Sequence, residues 1–419
     1  MDVPKEKLYL NQKMEVLSPA GDFERLEAAL RYGADAVYLG STAYGMRASA
    51  ASFDLPALER ACALAHGMGK RVYLTCNTLP RNDEFDGLPA FLRGAADAGV
   101  DAFIVTDLGV LSLLRETVPG AEIHISTQAG VVNYRAAREF YRMGAKRVVL
   151  ARELSLDEIA EIRDKTPPEL EIEVFVHGAM CLSFSGRCVL SNYMASRDAN
   201  RGQCAQPCRW KYALMEEKRP GQYFPIFEDE EGTYILNAKD LCLLPYIDKL
   251  AAAGVTSLKI EGRAKSAYYV AAVTNAYRIA VDDFYARPEG WQLPGWLSDE
   301  VRKVSHRDYS TGFLFGRPEA GQRYEQNGYI RLTDVAAVVE RVEDGRVYCT
   351  QKNRFFDGDT LELLEPGKQP VPFTVTGLQN GDGEPISDTR HPAMAFSFSL
   401  SLLPHPPAAG SMIRKNLEG

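Results

Sequence analysis

Five cysteines lie close together in the chain and are its most reactive group of side chains. They are Cys181, Cys188, Cys204, Cys208 and Cys242. Their spacing reads Cys-x6-Cys-x15-Cys-x3-Cys-x33-Cys. Several thiolates gathered in space suit either zinc or an iron–sulfur cluster. Zinc ribbons need two close cysteine pairs and this segment has one, so the spacing favours an iron–sulfur cluster held against an existing scaffold.

Arginines accompany these cysteines along the chain. Arg187, Arg201 and Arg209 each stand within a few residues of a cysteine. A cluster bound by thiolates carries negative charge, and guanidinium groups nearby stabilise such a charge. We therefore predict that these three arginines line the cofactor site. The same basic stretch could also contact RNA phosphates.

Two other interpretations of the cysteines stay open. A buried cysteine is often only a small hydrophobic residue, and the isolated Cys62, Cys76 and Cys349 fit that description. One cysteine could instead be a nucleophile paired with His177, as in a peptidase. A single nucleophile, however, leaves the other clustered cysteines unexplained.

Composition and charge narrow the classes of protein. The chain has 419 residues, 46% of them hydrophobic and 25% charged, with a net charge of −8. It has no apolar run of about 18 residues that could span a membrane, and its N-terminus lacks the apolar core of a secretion signal. We expect a cytoplasmic protein in a reducing compartment, where disulfides are rare. The net charge excludes a basic coat for nucleic acid but not a local basic patch.

Short apolar segments alternate with amphipathic segments over the first 285 residues. The predicted strands are Met14–Ser18, Ala36–Gly40, Arg71–Thr75, Ala102–Val105, Glu122–Ser126, Arg147–Leu150, Glu171–Val176 and Ser257–Ile260. Strands of this kind suit a parallel sheet that is buried on both faces. Eight such units, nearly all with a following helix, predict an α/β fold that is a closed (β/α)₈ TIM-like barrel.

The chain divides into four predicted parts. They are an N-terminal tail (1–13), the barrel (14–290) with a Cys-rich insertion (177–245), a wrapping linker (291–328) and a small C-terminal all-β domain (329–419). The insertion separates the seventh and eighth strands and holds all five clustered cysteines. Long connections of this kind are usually functional.

Alternating apolar residues predict the strands of the C-terminal domain. The predicted strands are Ala336–Val342, Arg346–Gln351, Thr360–Leu364, Phe373–Leu378, Ala395–Leu402 and Ser411–Arg414. Asp344 and Gly345 form a strong hairpin signal between the first two. A small β-barrel or sandwich is the expected result.

Parallel barrels carry their chemistry at the C-terminal ends of the strands. His177 follows the seventh predicted strand, and Glu261 and Arg263 follow the eighth. We predict Glu261 as an acid or base and Arg263 as a carboxylate clamp. A structural ion-pair set with Lys259, and a core role for His177, stay open as alternatives. Further strand-end candidates are Ser18, Asn77, Gln128 and Glu153.

The segments Val174–Cys181 (VFVHGAMC) and Ser185–Cys188 (SGRC) resemble the signature of the collagenase-like peptidases of unassigned catalytic type. The resemblance covers nearly the whole chain. It includes Leu17–Gly21, Asn200–Cys204 and Lys259–Arg263, together with the β-rich C-terminal part.

The family is named for peptidases, but the resemblance implies a different function for this chain. Several members are iron–sulfur proteins that support oxygen-independent hydroxylation. The branch most similar to this chain makes 5-hydroxyuridine at the wobble position of tRNA, using prephenate. Other branches act on a ribosomal-RNA cytidine or in ubiquinone synthesis. There are two alternatives. The protein could be a peptidase, or it could be an iron–sulfur hydroxylase or partner subunit that acts on another substrate.

The resemblance also implies particular ligands and partners. The cluster, expected as 4Fe-4S, would be held by Cys181, Cys188, Cys204 and Cys242, with Cys208 as a further candidate. Prephenate would be the co-substrate and tRNA the macromolecular partner. A related protein subunit is a further candidate partner.

Overall fold

The structure is a computed structural model. It describes residues 13–41, 53–181, 183, 188, 190–197, 204–207, 214–215, 223–224, 227–229, 232–234, 239–316 and 330–417. Within this part of the chain, none of the helices is long and apolar enough to cross a membrane.

Among the described residues, eight parallel strands close into a barrel. They are β1 (Glu15–Pro19), β2 (Ala36–Gly40), β3 (Arg71–Cys76), β4 (Ala102–Val105), β5 (Glu122–Ile125), β6 (Arg147–Val149), β7 (Glu171–Ala179) and β13 (Ser257–Ile260), with β8–β12 in the insertion. Neighbours in sequence pair in order from β1 to β7, and β13 pairs with both β1 and β7. Leu258, for example, stands opposite Val16 on one side and Val174 on the other. This closure confirms the predicted TIM-like barrel.

Helices follow the strands and cover the outside of the barrel. They are α1 (Phe23–Arg31), α2 (Leu55–Gly67), α3 (Leu88–Asp97), α4 (Leu108–Thr117), α5 (Tyr134–Arg142), α6 (Leu156–Asp164) and α9 (Ala267–Ala286). Most begin at a side-chain cap: Asp22, Asp54 and Asp107 each accept a hydrogen bond from a backbone N–H of the first turn. Such caps satisfy donors that the helix itself leaves open.

The Cys-rich insertion contains short elements. They are α7 (Leu190–Ala195), β8 (Leu214–Met215), β9 (Tyr223–Phe224), β10 (Phe227–Asp229), β11 (Gly232–Tyr234) and β12 (Asp240–Cys242), and α8 (Ile247–Ala252) follows the insertion. Strand β12 runs antiparallel to β7, with Cys242 opposite His177. Because of this pairing, β7 continues to Ala179, beyond the end predicted at Val176.

Regular structure also occurs in the segment predicted as a wrapping linker. Helix α10 (Gly295–Arg302) packs on α9, and β14 (Tyr309–Ser310) pairs in parallel with β12. The barrel sheet therefore continues past β7 through β12 and β14.

In residues 330–417 the chain forms a separate antiparallel sheet, the C-terminal domain. Its strands are β15 (Thr333–Glu343), β16 (Arg346–Gln351), β17 (Thr360–Leu364), β18 (Val371–Thr374), β19 (Gln379–Asn380), β20 (Ala395–Ser399) and β21 (Met412–Asn416). The order is β18-β17-β21-β15-β16-β20-β19. The sheet has its own core, which includes Phe355, Phe396 and Phe398, and it confirms the predicted all-β domain.

The details of this domain confirm one local prediction and correct two. Asp344 and Gly345 both have positive φ angles, 48° and 71°, and join β15 to β16 as the hairpin signal predicted. The predicted strand Ala395–Leu402 ends at Ser399, because the Ser399 side chain caps a 3₁₀ turn at Leu400–Leu402. The predicted strand Phe373–Leu378 was also wrong in extent, because β18 ends at Thr374.

A buried arginine joins the C-terminal domain to the barrel. Arg414 of β21 is fully buried and donates hydrogen bonds to Glu300 of α10 and Glu362 of β17. It also lies 3.1 Å from the hydroxyl of Tyr268 on α9. Because Glu300 is only 2% exposed, these charges depend on one another for compensation.

We expect Arg414→Ala to lower the free energy of unfolding by about 3–5 kcal/mol, because it leaves the buried Glu300 carboxylate without its main partner. Urea unfolding followed by circular dichroism measures this change. The matched control is Arg341→Ala, whose side chain is 58% exposed and pairs with Glu343. The control should change stability by less than about 0.5 kcal/mol, and an equally small change in Arg414→Ala would contradict the assignment.

Candidate functional site

Strand β13 and the residue after it place polar side chains at three depths inside the barrel, because alternate residues of a strand face the same side. Ser257, at the lowest level, donates to Glu15 at 2.9 Å. Lys259, in the middle, donates to Glu173 at 2.7 Å. Glu261 lies at the top, at the C-terminal end of the strands. We call this end the barrel mouth.

A buried ionic network forms the floor beneath the mouth. Arg147 of β6 is 2% exposed and donates to Glu15 at 2.6 Å, Glu171 at 2.8 Å and Glu173 at 2.9 Å. Tyr73 also donates to Glu15, at 2.6 Å. Burial alone would raise the pKa of Glu15, but the charge and hydrogen bonds of Arg147 lower it to about 2. This network was not predicted from the sequence.

Lys259 connects this floor to the mouth. Its ammonium lies 4.7 Å from the ring centre of Tyr38 and 5.5 Å from that of Phe175. Burial lowers the pKa of Lys259, and the neighbouring Glu173 carboxylate opposes that effect. The predicted alternative, an ion-pair set of Lys259 with Glu261 and Arg263, stays a prediction, and the ion-pair partner of Lys259 in the structure is Glu173.

Two guanidinium groups accompany Glu261 at the mouth. Arg152, which follows β6, has Nη2 3.6 Å from Glu261 Oε2 and stacks over the Phe175 ring at 3.8 Å. Arg263 donates to Thr75 Oγ1 at 3.2 Å. Guanidinium groups in this setting can bind carboxylates through paired hydrogen bonds. Arg152 was missed in the sequence, although its position just after a barrel strand could have indicated it.

Arg263 reaches the mouth because Gly40 leaves space for it. A Cβ added at Gly40 would lie 2.5 Å from Arg263 Nη1. No side chain larger than hydrogen fits at position 40 unless the guanidinium moves. The glycine at the end of β2 therefore helps to position this cation.

The other strand-end candidates have different positions. Asn77 donates to Gln128 at 3.0 Å across the mouth. Ser18 instead lies 2.8 Å from the hydroxyl of Thr274 on α9, so it joins the barrel to its helical layer. Glu153 follows Arg152 directly in the chain.

His177 lies on β7, and its carbonyl accepts a hydrogen bond from the Glu261 N–H at 2.9 Å, but its buried side chain packs against tyrosines of α9 and β14. Its Nε2 lies 3.2 Å from the Tyr309 hydroxyl and its Nδ1 lies 3.5 Å from the Tyr277 hydroxyl. Burial lowers the pKa of His177 to about 3, so the ring is neutral at physiological pH. The catalytic role of His177 stays a prediction. The contacts of its side chain agree with the alternative, in which His177 is a residue of the core.

Cys181 lies close enough to Cys188 and Cys204 for their charges to interact. Arg152 of the mouth donates to the carbonyl of Ala179, two residues before Cys181, at 2.8 Å. Desolvation raises the pKa of Cys181, and like charge on Cys188 and Cys204 adds to that rise, whereas the Arg152 guanidinium opposes it. Backbone N–H groups donate to two of the sulfurs, from Leu190 to Cys188 and from Gln206 to Cys204, both at 3.4 Å. Such bonds to sulfur are one of the means by which proteins tune iron–sulfur clusters.

Cys242 is placed with His177 instead. It stands opposite His177 in the pairing of β12 with β7, and burial raises the pKa of its thiol to about 11. Among the described residues, no three His, Cys, Asp or Glu side chains are grouped so as to hold one metal ion. The predicted site residues Cys208, Arg187, Arg201 and Arg209 lie outside the described residues.

Comparison with known families decides the classification. The family described as Peptidase family U32 matches residues 21–324, and its C-terminal domain matches residues 331–414. The chain belongs to peptidase family U32. This confirms the resemblance to collagenase-like peptidases that the sequence motifs carried.

Proteins that are similar to this chain have names that refer to different activities. The chain is 36% identical to tRNA hydroxylation protein P1 of Bacillus subtilis, over 98% of this chain and 96% of the relative. It is 37% identical to tRNA hydroxylation protein P of Escherichia coli, over 89% and 90%. It is also 34% identical to a collagenase of Porphyromonas gingivalis, over 72% and 74%.

The buried floor predicts a specific response to acid. The pKa of Glu15 is about 2 in the folded protein, below its ordinary value of 4.5. Its ion pair therefore stabilises the fold fully above pH 4.5, and this stabilisation is lost as the pH falls towards 2. We expect wild-type protein to lose about 2 kcal/mol more unfolding free energy between pH 5 and pH 3 than Glu15→Gln does.

Urea unfolding at a series of pH values measures this difference. Glu161→Gln is the control, since Glu161 is exposed and its side chain pairs only with the neighbouring turn of α6 through Lys165. The control should keep the wild-type pH dependence. Equal slopes for wild type and Glu15→Gln would show that Glu15 is not held ionised by Arg147.

Proposed function

We propose that this protein hydroxylates a uridine of tRNA, forming 5-hydroxyuridine at the wobble position. It would use an iron–sulfur cluster in the Cys-rich insertion and prephenate at the barrel mouth. One observation carries the proposal: Arg152 is next to both Glu261 at the mouth and the neighbourhood of Cys181, Cys188 and Cys204. The relatives named as tRNA hydroxylation proteins support the choice of substrate.

The donor set suits an iron–sulfur cluster better than a single metal ion. Cys181, Cys188 and Cys204 would supply three thiolates, and Cys242 or Cys208 the fourth. A cluster of several iron atoms is wider than one ion, so its sulfur ligands stand further apart. When bound, such a cluster supplies electron transfer. Arg152 would offset part of its negative charge.

The mouth residues suit a substrate with two carboxylates. Prephenate is a dicarboxylate, and Arg152 and Arg263 offer two guanidinium groups. Glu261, beside Arg152, would hold or move a proton at its carboxylate. Beneath them, Lys259 and the Arg147 network close the barrel and exclude water from the floor.

A peptidase is the competing function, because the family is named for peptidases and two similar proteins are named as a collagenase and a protease. A cysteine nucleophile needs a lowered thiol pKa and a base that can accept its proton. Here burial raises the pKa of both Cys181 and Cys242. Burial also lowers the pKa of His177 to about 3. These shifts are opposite to those that activate a thiol.

Nucleoside analysis of tRNA tests the function directly. In a bacterial host lacking its own relatives of this protein, the wild-type gene should produce 5-hydroxyuridine that mass spectrometry detects. Cys181→Ser and Cys204→Ser should abolish the product and lower iron and sulfide in anaerobically purified protein. Cys62→Ala, on the distant helix α2, should retain both. Unchanged tRNA nucleosides with the wild-type gene would refute the substrate, and iron-free wild-type protein would refute the cofactor.

We expect Arg263→Lys to raise the prephenate concentration needed for half-maximal hydroxylation about tenfold or more. Lysine keeps the charge but loses the paired donors, and a charged hydrogen bond is worth about 1.5–3 kcal/mol. Activity measured against prephenate concentration, with iron content and tRNA affinity measured alongside, checks this. Arg354→Lys, on the exposed C-terminal domain, should leave the response unchanged. A normal prephenate response in Arg263→Lys would contradict the clamp.

A further inference from the structure

A cavity of about 640 Å³ lies where the barrel, the Cys-rich insertion and the C-terminal domain meet. Its wall includes Gln206 of the insertion, Glu261 and Lys265 of the barrel, and Arg331 and Asn353 of the C-terminal domain. This volume is in the range of sites that bind small molecules. The cavity lies beside the mouth, because Glu261 borders both.

The polar groups of the cavity suit a nucleotide. Lys265 and Arg331 provide positive charge from two domains, beside the carboxylates of Glu261 and Asp334 in the same wall, and cations of this kind can bind a phosphate. Gln206 and Asn353 carry amides, which can both donate to and accept from the edge of a base. Tyr269 adds an aromatic wall, with the Lys265 ammonium 5.3 Å from its ring centre.

Arg331 can exchange its present partner for a phosphate at little cost. It pairs with Asp334, whose side chain is 20% exposed and lines the same cavity, while the Arg331 side chain is itself 58% exposed. Exposed ion pairs contribute only about 0–1 kcal/mol. The phosphodiester of an RNA nucleotide carries one negative charge, as Asp334 does, so it can share or replace Asp334 as the partner of this guanidinium.

The long helix α9 adds to the positive potential. It begins at the cavity with Ser266 as its cap, and the Ser266 side chain accepts from Tyr269 N–H. A helix N-terminus carries partial positive charge and favours anions. This effect adds to that of Lys265, which immediately precedes the cap.

Two glycines keep the cavity wall compact and preformed. A Cβ added at Gly178, whose φ is +103°, would lie 2.4 Å from the Glu261 carbonyl oxygen. A Cβ at Gly262 would lie 2.6 Å from the Tyr269 ring. The Tyr269 hydroxyl also donates to the Glu261 carbonyl at 3.0 Å. The wall next to Glu261 is thus fixed by close packing on both sides.

We propose that this cavity binds a nucleotide of the substrate RNA that neighbours the modified uridine. Its phosphate would lie against Lys265 and Arg331, and its base would meet Gln206 and Asn353. The inference rests on the proposed RNA substrate. The C-terminal domain then contributes directly to RNA binding, because it supplies one wall of the subsite.

Titration of tRNA binding against salt concentration tests the proposal. Arg331→Ala and Lys265→Ala should each weaken tRNA binding about five- to tenfold and reduce the slope of log affinity against log salt by about one. The matched control is Arg341→Ala, with the same 58% side-chain exposure and a similar carboxylate partner, Glu343. It lies outside the cavity lining, so tRNA binding should be unchanged.

The possible results separate this inference from the proposed function. Wild-type affinity and salt slope in Arg331→Ala and Lys265→Ala would overturn the subsite, even if the wild-type protein hydroxylates tRNA. Weaker use of prephenate with unchanged tRNA binding would also overturn it, in favour of a carboxylate site. Absence of hydroxylated tRNA with wild-type protein would instead refute the proposed function. Thermal unfolding of each variant confirms that it is folded.

Discussion

The pairing of β13 with both β1 and β7 is the interaction on which the rest of the structure depends. It closes the barrel, and the same strand carries the inward-facing Ser257 and Lys259 and leads directly to Glu261. The pairing of β13 with β1 and β7 therefore positions both the buried floor and the mouth. The floor also requires it, because Glu15 of β1 and Glu173 of β7 reach Arg147 and Ser257 only when the first and last strands meet. Charges buried this deeply are tolerated only as a connected set.

The antiparallel strand β12 imposes a second constraint, on the Cys-rich insertion. The insertion leaves the barrel at the end of β7 and returns along the same strand, so both of its ends are fixed to β7. The buried pair of Asp240 with Arg307, with contacts of 2.8 to 3.1 Å, holds β12 in place. Cys181 follows one fixed end and Cys242 terminates the other. A long connection with tethered ends loses less freedom on ordering than an open loop of equal length.

The sequence predicts those parts of the fold that depend on local pattern. The eight barrel strands are short apolar runs bounded by turns, and the hairpin at Asp344 has the backbone angles that its residue types favour. Strand β12 was missed because three residues, one of them the buried Asp240, carry no periodic signal and are stabilised by distant partners. Arg152 and the Arg147 network were missed for the same reason: their roles come from strands far apart in sequence. His177 shows the converse: it follows the predicted strand end as expected, but its side chain contacts Tyr277 and Tyr309.

The distribution of charge connects the fold to the proposed substrate. A chain with net charge −8 repels a polyanion at long range, so RNA must bind through a local concentration of cations. Arg152, Arg263, Lys265 and Arg331 come from two barrel connections and from the C-terminal domain, and they border the mouth or the adjoining cavity. That concentration exists only when the barrel is closed and Arg414 holds the C-terminal domain against it. Recognition of the proposed substrate would then depend on the assembled tertiary structure, because neither domain alone carries all four of these cations.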